Sequence, residues 1–190
     1  MSKLKYFLFF LMFLLFYLFT NSFNLGREKF NFGINLDNFV PFIPGFALFY
    51  ILLFPLIFMP FLIIKKEQDF INLIKANIFI IVTSNILFLL LPGEILRPQI
   101  NVYGIFFFIL DLIYKIDNPV NLFPSLHASL SLLSFLVISR FKKNLRIIIF
   151  IVFISTTLST LFIKQHYLLD VLAGLILGFL AYMIYFKKLK

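Results

Sequence analysis

Cysteine is absent from this chain of 190 residues, and charge is scarce, with 13% of residues Asp, Glu, Lys or Arg. The first absence excludes a disulfide framework, a thiolate nucleophile and any cysteine-based metal site. The second excludes an ordinary soluble domain, where roughly a quarter of residues are charged and about half are apolar. Here 62% are hydrophobic and the mean hydropathy is +1.05, a surface that only lipid solvates. Histidine is also rare: His127 and His166 are the only two side chains whose ordinary pKa lies near neutrality. No internal repeat and no linker divides the chain, so residues 1–190 read as a single transmembrane domain.

Phenylalanine and cations are plentiful. The 30 phenylalanines carry no functional signal, because Phe and Ile replace Leu and Val in lipid at little energetic difference. A formal net charge of +9 is compatible with nucleic-acid binding in principle. The Lys and Arg residues, however, sit in short clusters between apolar runs, where they act as topology signals, and nucleic acid is excluded as a partner.

A helix needs about 20 apolar residues to cross the hydrocarbon core. Six stretches qualify, at Leu4–Thr20, Phe42–Ile64, Phe70–Leu91, Pro124–Ser139, Leu145–Ile163 and Tyr167–Phe186. The fold expected is therefore an all-α integral membrane bundle of six transmembrane helices. Leu4–Thr20 follows Lys3 and Lys5 as a secretory leader does, but it lacks a small-residue cleavage site and reads as a retained anchor. With six spans, Lys3, Lys5, Lys65, Lys66, Lys75, Arg140, Lys142, Lys143, Arg146, Lys187, Lys188 and Lys190 fall on one side. Only Arg27, Lys29, Arg97, Lys115 and Lys164 fall on the other. The positive-inside rule then makes both termini cytoplasmic and the protein a multi-pass component of the cell membrane. Two long connections, Asn21–Pro41 and Pro92–Phe123, face outward, and the short apolar stretch Ile105–Ile113 within the second lies in the interface or dips back into the bilayer.

Ionisable residues at membrane depth cost roughly 2.5–3.5 kcal/mol each on insertion scales, so each needs a reason. Four stand out: Arg97 after the third span, His127 in the first turn of the fourth, and His166 with Asp170 at the start of the sixth. Helix parity brings these three span ends to the same membrane face, the extracytoplasmic one. For His127 alone an interfacial polar role suffices. His166 and Asp170, spaced i, i+4, share a helix face, which fits a structural pair and a catalytic pair equally well.

The surrounding residues bear on that choice. Pro124 stands where a helix can begin, since its missing N–H is not needed in the first turn, and the N–H groups from Ser125 onward then form an anion site. Lys164 and Arg97 add two cations facing the same anion. A guanidinium, an ammonium, a helix N-terminus and two histidines suit a phosphate better than any other common ligand. An Asp170 hydrogen bond to one ring nitrogen of His166 would leave the other nitrogen unprotonated and aimed at phosphorus. His127, protonated, would supply the leaving oxygen with a proton, giving displacement through a phosphohistidine.

These residues resemble the type 2 phosphatidic acid phosphatase superfamily of membrane lipid phosphatases and phosphotransferases. Its signature comprises Lys-x6-Arg-Pro, Pro-Ser-x-His and Ser-Arg-x5-His-x3-Asp. The second part is complete as Pro124-Ser125-Leu126-His127, and the third runs from Ser159-Thr160 through Lys164-Gln165-His166 to Asp170. The wording Phe-Pro-Ser-Leu-His and His-Tyr-x-x-Asp-Val-x-x-Gly is closest to the inositol phosphorylceramide synthase-like branch, and the motif-bearing core spans about 91–186. Two positions depart: Leu90 stands where the first part has lysine, and Thr160 where the third has arginine. Lys164, one helical turn beyond Thr160, is inferred to replace the missing cation.

The resemblance implies His166 as nucleophile, Asp170 as its orienting carboxylate and His127 as general acid, with Arg97, Ser125 and Lys164 binding phosphate. It implies no metal and no cofactor. The implied partners are membrane lipids and, as substrate, a lipid phosphate or isoprenoid diphosphate. The activity expected is hydrolysis of that phosphate at the outer face. Two other readings remain: transfer of the phosphoryl group or phospho-headgroup to an alcohol, and a non-catalytic lipid-binding protein that keeps the fold. Tyr167, Gln165 and Asn121 read as interfacial packing, and Gly174 with Gly178 as a close helix contact.

Overall fold

The computed structural model describes residues 3–100 and 104–187; Lys188 and Lys190, counted above among the tail cations, lie outside them. Eight α-helices occur among the described residues: α1 Lys3–Phe23, α2 Ala47–Ile51, α3 Leu53–Ile63, α4 Glu67–Leu90, α5 Ile105–Ile116, α6 Leu126–Phe141, α7 Arg146–Phe162 and α8 Leu168–Phe186. Five helical segments, Leu4–Gly26, Pro44–Ile63, Glu67–Leu90, Lys143–Phe162 and Leu168–Phe186, are long and apolar enough to cross a membrane, and α6 is a shorter apolar helix. The fold is a helical membrane bundle, as expected.

The ends of these helices have local causes. Glu67 and Asp69 lie in the first turn of α4, where carboxylates favour the positive end of the helix dipole, and Pro92 closes it two residues after Leu90. The second span is broken at Leu52, between α2 and α3. Pro55 has no N–H for the carbonyl of Ile51, so the ladder cannot run through that point. The fourth span starts two residues later than expected, at Leu126, because Ser125 caps the helix and Pro124 lies before the cap.

Helix α6 is central, packed by α8, α7 and α3, while α1 lies against α4 and α4 against α8. Phe10, Leu73, Ile80, Ile81, Phe88 and Leu133 form the largest buried cluster. The outward side chains are apolar as well: Ile147 is 77% exposed and Ile176 62%, as lipid-facing positions require. Gly174 and Gly178 let α8 approach α6 closely. A Cβ at either would stand 2.4 Å from a backbone carbonyl, of Ser125 or Ser129 respectively.

At one end of the bundle the connection after α1 runs across the tops of α4, α7 and α8. Phe30 pairs with the strand-like Pro92–Glu94 segment through Phe30 N–H to Pro92 O at 2.8 Å and Glu94 N–H to Phe30 O at 3.1 Å. The Asp37 carboxylate accepts from Leu168 N–H at 2.8 Å, and Ile43 N–H donates to Phe162 O at 2.9 Å. This segment is thus a strap docked on the helix ends. Helix α5 is two-sided, burying Leu110 and Ile113 against Ala47 and Tyr50 and presenting an Asp111–Lys115 ion pair outward at 2.6 Å.

Candidate active site

His127 is placed by the start of α6. Ser125 is the N-cap residue, its hydroxyl accepting from Ala128 N–H at 3.3 Å and its own N–H donating to Asp170 O at 2.9 Å. Those bonds clamp the first turn of α6 to the first turn of α8. Pro124 precedes the cap, joined to Phe123 by a cis peptide bond. The N–H groups of Leu126 and His127 have no partner within the helix, as at any N-terminus.

His166 lies in the turn before α8, not on the helix, and Asp170 is in its first turn. Their i, i+4 spacing therefore brings them together by capping rather than by a shared helix face. Asp170 Oδ2 accepts from Tyr167 N–H at 2.8 Å and stands 3.6 Å from His166 Nδ1. His166 Nδ1 and Asp170 Oδ1 are both buried without a hydrogen-bond partner. A shift of roughly half an ångström brings the imidazole N–H into bonding range of the carboxylate. On its other side His166 Nε2 lies 3.3 Å from His127 Nδ1, the rings tilted at 61°. The two histidines and Asp170 form a row at one end of the bundle.

The cations are arranged differently. Lys164 is not one helical turn along from Thr160, because α7 ends at Phe162 and Lys164 takes a left-handed conformation, φ 54°. Non-glycine residues hold that conformation at a cost of about 1–3 kcal/mol, a strain that clusters at functional sites. Gln165 and His166 both donate N–H groups to Thr160 O, at 2.8 and 3.1 Å, which closes the turn and carries His166 inward. The Lys164 ammonium donates to Val40 O of the strap at 2.6 Å. Arg97 donates to Tyr114 O at 3.2 Å, to Asp117 O at 2.7 Å and to Gln165 Oε1, and its guanidinium lies 4.4 Å over the Tyr114 ring. Burial pulls the Arg97 pKa down, opposed by Asp117, and pushes the Tyr114 phenol up to about 12. In the structure, then, Arg97 fixes the α5–α6 connection and the turn before His166.

Three residues outside the sequence reading join the site. Asp117 Oδ1 accepts from Tyr17 O–H at 2.5 Å, and its Oδ2 from Tyr50 O–H at 2.9 Å. The Tyr50 ring lies against the His127 ring, centroids 4.6 Å apart and planes tilted by 36°. Asp117 follows a helix that already carries Asp111 and Lys115, so nothing local in the sequence singles it out, and its partners are 100 and 67 residues away. Asn121 is buried and bonded to Thr20 and Asn24 at 3.0 and 2.9 Å, a packing role as expected.

Two cavities reach the histidines. One, of about 250 Å³, is lined by Lys164, His166, Tyr167 and the strap residues Asp37, Asn38 and Val40. The other, of about 320 Å³, lies among α1, α2, α3, α5 and α6 and is walled by Leu, Ile and Phe, with Asp117 and His127 among its few polar groups. Among the described residues no group of three or more His, Asp or Glu side chains is placed to hold a metal ion. A family model described as the PAP2 superfamily matches residues 110–184, the stretch from α5 through α8 that holds Ser125, His127, Lys164, His166 and Asp170. No curated protein and no solved structure matches the chain.

Proposed function

We propose, from the premise that this chain belongs to the PAP2 superfamily of type 2 phosphatidic acid phosphatases, that it hydrolyses a lipid phosphate or diphosphate at the outer membrane face. The observation that carries the reading is the row Asp170, His166, His127, with 3.3 Å between the two imidazoles, flanked by a cavity that holds Lys164 on the His166 side and an apolar cavity on the His127 side. Substrate parts the rings, its phosphate drawn by Lys164 and the α6 N-terminus and its chain lying in the apolar cavity. Arg97 reaches the phosphate by exchanging one of its carbonyl partners. The charge count of the connecting segments supports the extracytoplasmic placement and cytoplasmic termini.

Chemistry proceeds in two halves. His166 Nε2 attacks phosphorus, the bond to the leaving oxygen breaks, and that oxygen takes a proton from His127. Asp170 holds the Nδ1–H of His166 and stabilises the positive charge that develops on the ring. Water then attacks the phosphohistidine, giving its proton to His127 as the N–P bond breaks and inorganic phosphate departs. No step draws on a metal or cofactor.

Phosphate release from a panel of lipid phosphates and diphosphates by the purified protein in detergent with chelator, wild type beside His166→Ala, tests this. Release that survives chelation and disappears in the variant is the expected result. Absence of release from every lipid by both proteins overturns hydrolysis. A second reading, transfer to an alcohol, is favoured by the two separate cavities, one beside His166 and one beside His127, which suit a donor and an acceptor. Product analysis with and without added alcohols separates it from hydrolysis.

A further inference from the structure

The described site contains a carboxylate that the mechanism above does not use. Asp117 ends α5 and faces the apolar cavity together with His127. Its side chain is held by two phenols from different helices, Tyr17 of α1 at 2.5 Å and Tyr50 of α2 at 2.9 Å, and by Asn21 Nδ2 at 3.4 Å. Its carbonyl is held by Arg97 at 2.7 Å. Two helices therefore hold the carboxylate, and a third segment holds the backbone of the same residue. Unlike Asp111, which is paired with Lys115, Asp117 has no side-chain ion pair among the described residues.

The geometry points to Asp117 as a positioning residue for His127, the counterpart on that histidine of Asp170 on His166, acting across the cavity and through the intervening Tyr50. His127 directs Nδ1 to His166, so Nε2 is the nitrogen left for the groups on the cavity side. A general acid must begin its cycle protonated, and the ring in contact with His166 has a neighbour that resists a second positive charge. The charged and titratable groups around His127 are Asp117 from the α5 end, Tyr50 of α2, Tyr17 of α1, and His166 with Asp170 behind it at the start of α8; Arg97 bears on it through Asp117. Asp117 is the carboxylate that shares the apolar cavity with His127. Tyr50, whose hydroxyl grips that carboxylate while its ring lies against the imidazole at 4.6 Å, links the two. The role as general acid rests on the proposed hydrolysis, but the pairing of Asp117 with His127 does not.

With only two histidines, the full-length protein labelled with 15N-histidine in detergent gives two imidazoles to follow by NMR, assigned by a His166→Asn variant. Asp117→Asn keeps the shape and an acceptor for the phenols while removing the charge. The expected result is that the pH at which His127 gains its second ring proton falls by about one unit or more, a tenfold loss of proton affinity, while His166 moves much less. Tyr50→Phe, which leaves the charge but frees its position, gives a smaller fall of the same sign. An unmoved His127 titration in both variants, each with a wild-type melting temperature, overturns the pairing. So does an equal shift of both histidines, which would mark a general change in the fold. If Asp117→Asn fails to fold, Asp117→Glu and Tyr50→Phe carry the test, and a His127 midpoint indifferent to both is the overturning result. The titration needs no turnover, so a protein that releases no phosphate in the panel above leaves this measurement decisive on its own.

Discussion

Gly174→Ala places one methyl group where the segments that carry His127 and His166 are clamped together. The added Cβ would stand 2.4 Å from Ser125 O, 3.2 Å from Ser125 C and 3.1 Å from the Ala128 Cβ, whereas ordinary contact begins at 3.4 Å. Either α8 or the first turn of α6 must therefore retreat by about 1 Å, the difference 3.4 − 2.4. The atom met is backbone, and Ser125 also donates to Asp170 O, so no side-chain rotation absorbs the clash. Overpacking of this kind costs about 1–3 kcal/mol of stability. Misplacing reacting groups by 1 Å costs roughly a hundredfold in rate. Gly178→Ala is the control: its Cβ meets Ser129 O at the same 2.4 Å, one turn further from the histidines. Both variants are expected to melt lower by similar amounts, with turnover falling about a hundredfold in Gly174→Ala and less than tenfold in Gly178→Ala. Phosphate release per folded molecule, beside a thermal melt in the same detergent, reads both quantities. Wild-type turnover by a folded Gly174→Ala protein, or equal turnover losses in the two variants, would refute the reasoning.

Two other substitutions separate chemistry from structure. Asp170→Asn retains an acceptor for Tyr167 N–H but cannot hold the His166 imidazole as a carboxylate does; turnover should fall by about three to four orders of magnitude with little change in melting temperature. Lys164→Gln removes the cation of the cavity beside His166. A charge-assisted contact contributes about 1.5–3 kcal/mol, so kcat/KM for a lipid phosphate should drop at least about tenfold, measured as initial rates below saturation.

The spans were legible in the sequence because lipid demands length and apolarity of each one separately, and His127, His166 and Asp170 because their chemistry is costly to place in a membrane. The break at Leu52 is local too, set by Pro55. The surroundings of the histidines were less legible. Lys164 was assigned to a helix face by spacing, but α7 ends two residues before it, and the side chain reaches Val40 at a sequence distance of 124. Arg97 was expected on the phosphate, yet its partners are carbonyls 17 and 20 residues on and Gln165. Asp117 carries no local mark, because neither tyrosine that holds it is near in the chain. Side chains whose meaning depends on distant partners are silent until the helices are placed.

The grip of Tyr17 on Asp117 also sets an order of events during synthesis. Chain growth proceeds at roughly 5–20 residues per second, so α1 waits about 5–20 s for the residue its phenol will hold, 100 positions later. Asn21 waits equally long for Asn118, and Asn24 for Asn121. Meanwhile α1 can already seat on α4, where Thr20 meets Asn85 and Asn24 meets Phe88 O. The bundle is therefore completed late at its polar end: a nascent chain stalled before Asp117 has α1 packed on α4 by its apolar face, with Tyr17 and Asn21 still awaiting the segment that closes over them.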